Sequence, residues 1–152
     1  MSALHDFDFL QGSWKVHNRR LRSRLTASDD WQEFETRVES RPLLGGRGNV
    51  DTYDGVDVEL SAVAFRLLDP ATDEWSIYWA DGSSGRLDPP VVGRMSGDRG
   101  TFFGDDEYDG RPIRVRFVWE KLAASRAEWA QAFSADGEAT WETNWTMSWT
   151  RA

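Results

Sequence analysis

His5 and His17 are the only imidazoles in a chain that has no cysteine. The missing thiols exclude disulfides, thiolate metal sites and a cysteine nucleophile. His5 sits in the leading segment. His17 has the opposite parity to Trp14, so it points outward on a strand whose Trp14 points inward. Two such histidines do not build a metal shell, and no H-E-x-x-H occurs. The expectation is therefore no metal and no cofactor, with a lone axial His17 on haem left open. A nucleophile also needs a base and an orienting group. Without a histidine in prospect for the interior, and without G-x-S-x-G, a Ser-His-Asp arrangement has no support. Acid–base chemistry would fall to Glu142, Tyr78 and Arg114. Alternation along their segments places all three on outer faces, so no catalytic residue is assigned and enzyme activity stays undecided.

Four other stretches have chemistry-bearing composition. Leu44-Gly45-Gly46-Arg47-Gly48 lacks the lysine and the following helix of a phosphate loop, and reads as a tight glycine turn between strands. Asp105, Asp106, Glu107 and Asp109 are hard-cation ligands by type, but without EF-hand spacing they read as an exposed acidic loop. Ser134 to Trp141, which partly resembles an Asp-box, reads as a hairpin. Lys15, Arg19, Arg20, Arg22 and Arg24 form a basic run in a chain of formal charge −8. It is either a binding patch or, more plainly, a solvated strand face. The net negative charge argues against nucleic acid as a partner.

These residues must be positioned by strands. Turn signals recur at Asp54-Gly55, Asp69-Pro70, Asp81-Gly82, Gly97-Asp98, Asp109-Gly110 and Asp136-Gly137, the spacing of short antiparallel segments. Trp141, Thr143, Trp145, Met147 and Trp149 alternate with polar residues. Ile113, Val115, Phe117 and Trp119 do the same, as do Trp75, Ile77 and Trp79. Val63, Phe65 and Leu67 form a weaker inward face. Residues 31–38 and 121–132 have competing helical and strand periods, and both are read as strands. About ten strands result, preceded by a short helical turn near residues 4–10. Many short antiparallel strands hide their edges best in a closed barrel. The fold class expected is all-β, a closed antiparallel barrel of about 8–10 strands with 1–152 as one domain, and a sandwich of the same strand count is the alternative.

Nine tryptophans, eight phenylalanines and three tyrosines either fill such a barrel or line a pocket in it. Inward parity selects Trp79, Phe117, Trp119, Trp129, Trp145 and Met147, with Asn18 and Gln131 as polar contacts. Val16, Arg20, Thr36 and Thr143 share the inward side. A few polar groups in an aromatic cavity of about 300 Å³ or more would suit a small ligand. The plainer alternative is that Asn18 and Gln131 satisfy backbone groups at strand irregularities.

Phe7-Asp8-Phe9-Leu10-Gln11-Gly12-Ser13-Trp14 resembles the start of a calycin, the superfamily of lipocalins and fatty-acid-binding proteins. The resemblance implies that Gly12 and Trp14 form its G-x-W, and that Arg151, after the last strand, packs on the Trp14 indole to close one barrel end. Asp136-Gly137-x-x-Thr140-Trp141-x-x-Asn144-Trp145 extends the likeness to an uncharacterised bacterial group of lipocalin-like domains with no agreed activity. Together with the aromatic content, the calycin resemblance implies a non-enzymatic binder of a small hydrophobic or amphipathic ligand. Two alternatives from other classes stand beside it: a small acid–base enzyme in a polar barrel cavity, and an interaction module with a filled barrel and exposed tryptophans such as Trp31. Residues 1–10 carry Asp6 and Asp8 where an export signal would be basic and then apolar. No apolar run reaches membrane-helix length. The expected setting is the cytoplasm, without a membrane partner, and compatible with a homodimer.

Overall fold

The computed structural model describes residues 2–152. Ten strands form one closed antiparallel barrel: β1 Gly12–Leu21, β2 Trp31–Leu43, β3 Gly48–Gly55, β4 Ser61–Asp69, β5 Glu74–Asp81, β6 Val91–Ser96, β7 Arg99–Tyr108, β8 Arg111–Ala123, β9 Arg126–Ser134 and β10 Glu142–Arg151. Each strand pairs with the next in sequence, and β1 pairs with β10 to complete the circle. Residues 31–38 lie in β2, and residues 121–132 run from the end of β8 through a turn at Ala124 and Ser125 into β9, where Ala127 and Trp129 meet the interior on alternate positions. The only helix near the N-terminus is a 3-10 turn, Asp8–Leu10. No helix among the described residues is long and apolar enough to cross a membrane.

The N-terminal segment plugs one end of the barrel. Phe7 packs edge-on against Trp75, with ring centroids 5.4 Å apart, and lies 5.7 Å from Phe102. The backbone of the plug is tied down by side chains. Trp75 Nε1 donates to Ala3 O at 2.8 Å, Trp14 Nε1 donates to Leu10 O at 2.8 Å, and Asp6 accepts from Met95 N at 2.9 Å. Arg151 completes the closure. Its guanidinium carbon stands 3.9 Å from the Trp14 ring centroid, and its donors reach the carbonyls of Phe9 and Gln11. The cation lies over an indole face while capping carbonyls that no ladder uses. Gly12 is required beside it: φ is +113°, and a Cβ there would come within 2.7 Å of the Arg151 guanidinium.

In two segments the faces differ from the sequence expectation. On β4 the inward residues are Ala62, Ala64, Arg66 and Leu68, while Val63 and Leu67 are exposed and Phe65 is half-buried on the outside. The wall opposite supplies the bulk here, so small side chains and one long cation fit where larger ones would collide. Arg66 is compensated inside: its guanidinium donates to both carboxylate oxygens of Asp51 and to Asn49 Oδ1. On β10 the ladder to β9 shifts register between Thr143 and Trp145. The extra residue, Asn144, turns inward and is fully buried, which leaves Thr143 exposed instead of facing the core. Trp141 falls before the strand. It is half-buried on the outer side, under the Arg116 guanidinium at 4.5 Å and beside Phe103.

Candidate functional site

The end opposite the plug is open. The β5–β6 ladder is short, pairing only Trp75, Ile77 and their neighbour Ser76 with Val91 to Gly93. Residues 82–90 form a loop that folds back on β5, where Ala80 bridges to Leu87 and the Asp88 N–H donates to Trp79 O at 2.8 Å. The opening leads to a cavity of about 260 Å³, slightly below the roughly 300 Å³ at which drug-sized ligand pockets begin.

The cavity floor is aromatic. Trp79 and Trp145 meet edge-to-face at 5.5 Å, Trp129 and Trp145 at 5.6 Å, and Phe117 and Trp129 at 5.0 Å. This perpendicular array leaves ring faces and edges for a further planar ring. Gln131 also lines the cavity, with its Nε2 donating to Asn144 Oδ1 at 2.9 Å. Asn18 does not reach the cavity wall. It is fully buried behind it, where its Oδ1 accepts from Trp145 Nε1 at 3.0 Å and its Nδ2 donates to Thr36 Oγ1. Asn18 thus fixes the Trp145 indole that lines the cavity. Trp119 and Met147 are buried and inward-facing but stand outside the cavity lining; Trp119 packs on Trp149 and Phe7 in the plugged half.

The rim is charged, and here the sequence reading needs correction. Arg20 and Arg24 belong to a run read most plainly as a solvated face, yet both line the cavity. The Arg20 guanidinium is held between Phe34 and Trp145, 4.9 and 4.8 Å from their centroids. Arg24 comes from the strap of residues 22–30 that joins β1 to β2, and lies 5.7 Å from Phe133 and 5.9 Å from Trp145. Burial pushes both guanidinium pKa values down, and for Arg24 the neighbouring Arg20 charge adds to that. The strap holds Leu25 and Ala27 at φ of 59° and 56°, and the Leu25 N–H donates to Glu142 at 2.8 Å. Asp105 to Glu107 lie on β7, not in a loop, and Asp106 and Glu107 reach the mouth with Asp81 and Asp88. Asp88 has its pKa raised, by burial first and then by the Asp106 and Asp81 charges. The sequence signals for this rim were the parity of Arg20 with Trp14 and the binding-patch alternative for the basic run that holds Arg20 and Arg24; Asp88 carried none.

The remaining singled-out residues lie elsewhere. His5 and His17 are exposed, each beside a carboxylate, Asp8 at 2.7 Å and Glu33 at 2.8 Å. Trp31 is half-buried under Arg19, 4.7 Å away. Tyr78 and Arg114 point outward, and Arg114 pairs with Asp105 and Glu138.

No family model matches the chain, and no curated protein does. Among solved structures the chain is similar to a redesigned beta barrel, at 11% identity and a TM-score of 0.54, over 100% of this chain and 99% of that one. The likeness concerns the fold: a closed antiparallel ten-strand β-barrel.

Proposed function

We propose that this barrel is a non-enzymatic binder of a small hydrophobic or amphipathic ligand, held in the open end with its apolar part on the Trp79–Trp145–Trp129 array. The observation that carries the reading is the aromatic-floored cavity of about 260 Å³ at one end of a barrel whose other end is plugged. Small-molecule sites combine such an apolar lining with a few fixed polar groups, which Gln131 and the rim supply. The calycin reading is the family-level form of this proposal, supported by the Gly12, Trp14 and Arg151 contacts at the plugged end. Its partner is a small molecule, with 1–152 acting as one domain.

Isothermal titration with 2-naphthylmethanol, a neutral two-ring probe, tests this directly. Saturable binding is expected, accompanied by a change in tryptophan emission, because Trp79, Trp129 and Trp145 line the cavity. Replacing Phe117 with tryptophan should narrow the cavity and weaken that binding. Absence of binding, with emission unchanged up to the solubility limit, would overturn the proposal.

A further inference from the structure

We infer that the ligand is a small aryl anion, a one- or two-ring aromatic carrying a carboxylate or a similar oxyanion, whose charged group is received by Arg20 and Arg24. This rests on the binding reading above and adds the ligand's charge and size.

The charge follows from what the rim groups already do. Three of the four carboxylates at the mouth have occupations of their own, and the fourth is Glu107. Asp81 accepts from Ser83 Oγ, Ser83 N and Ser84 N in its turn. Asp106 accepts from Glu107 N. Asp88 has its ionisation held back by burial and by its acidic neighbours. The guanidinium groups are not matched in this way. Arg20 donates a long bond, 3.4 Å, to Gln32 Oε1, and it feels the Asp81 charge without an ion pair closer than 4 Å. Among the described residues Arg24 makes no side-chain hydrogen bond and no ion pair within 4 Å, although the charges of Glu142 and Asp88 reach it from farther off. Both cations stand within 6 Å of one ring centroid, that of Trp145, at 4.8 and 5.9 Å. Two partly desolvated like charges beside one indole repel each other. An oxyanion between them would replace that repulsion with charge-assisted hydrogen bonds, and a guanidinium offers the planar fork that a carboxylate accepts.

The size follows from the cavity. A cavity of about 150 Å³ takes benzene, so about 260 Å³ suits one or two rings better than a long acyl chain. The herringbone packing of Trp79, Trp145 and Trp129 offers such a ring edge-to-face partners.

The test compares three probes with one naphthalene ring: 2-naphthoate, 2-naphthylmethanol and 2-naphthylmethylammonium, each titrated calorimetrically at pH 7. The carboxylate should bind at least tenfold more tightly than the alcohol, as expected for about 1.5 kcal/mol or more from charge-assisted hydrogen bonding. The ammonium should bind more weakly than the alcohol. Arg24→Gln, on the strap outside the ladders, should bring the carboxylate within about threefold of the alcohol, and a variant that weakens carboxylate and alcohol by the same factor overturns the anion assignment. Arg20→Gln is the second variant, checked for folding by circular dichroism. If the alcohol binds but the carboxylate gains nothing, or if the ammonium binds as tightly, the anion assignment is overturned and the binding reading stands. If none of the three binds, the binding reading falls, and this inference falls with it.

Discussion

Replacing Arg66 with methionine should strip the barrel of a large share of its stability. Arg66 and Asp51 are 1% and 0% exposed in their side chains, and the guanidinium engages both carboxylate oxygens, at 2.9 and 2.5 Å. Methionine would fill much of the volume between Phe7 and Trp119, whose centroids lie 4.8 and 5.3 Å from the guanidinium carbon. It would leave Asp51 charged, buried and supported only by the Tyr53 hydroxyl at 3.0 Å. Breaking one side of a buried pair costs about 3–5 kcal/mol. A domain of this length loses about 2–4 °C of melting temperature per kcal/mol, so a fall of about 6–20 °C is expected. Urea unfolding of Arg66→Met, Asp51→Leu and the double variant forms the assay. The double variant should recover at least about 2 kcal/mol relative to the sum of the singles, because it removes the stranded charge. A single-variant loss under about 1 kcal/mol, or strict additivity, would refute the account of β4.

Trp14→Ala should cost about 3–5 kcal/mol, the range for a large aromatic lost from a core. It removes both the indole under Arg151 and the donor to Leu10 O, and chemical denaturation measures it. Asp136 should titrate at about 2, because the Thr140 hydroxyl, the Thr140 N–H and the Ser134 hydroxyl all donate to its carboxylate. A pKa depressed in the folded state gives stability that is present above the ordinary carboxylate range and lost as the pH falls toward 2. Carboxyl NMR titration should show this, with Thr140→Val moving the midpoint upward; an ordinary midpoint in the unaltered protein would contradict it.

Much of the barrel was legible because period-2 alternation survives wherever one face meets a uniform interior. On β8 Ile113, Val115, Phe117 and Trp119 lie inward, and on β9 Trp129, Gln131 and Phe133 do, as their pattern requires. The pattern failed where a strand's inner face is not its apolar face. On β4, Arg66 is inside because Asp51, on the neighbouring strand, neutralises it, a pairing that only the register of β3 on β4 creates. On β10, one bulged residue reverses the faces of everything before it, and Asn144 carries no local mark that would announce the insertion. The candidate site was half visible. Trp79, Phe117, Trp129, Gln131 and Trp145 come together at one cavity, since strands fixed them. Arg24 and Asp88 arrive on connections whose course alternation does not describe.

The clasp of Arg151 on the N-terminal plug has a consequence for how the chain reaches this structure. Every other ladder joins strands adjacent in sequence, so each can zip from its own turn. The last seam joins groups 140 residues apart, from Arg151 to the Gln11 carbonyl. The entropy of closing a loop grows only logarithmically with its length, so the ring closes at modest cost once the meander exists. Before that moment β1 and β10 are both bare edges, open to pairing with another molecule. In the folded state Arg151 holds the two ends together through Trp14 and the plug, so the seam that removes both edges is fastened by a side chain as well as by the ladder.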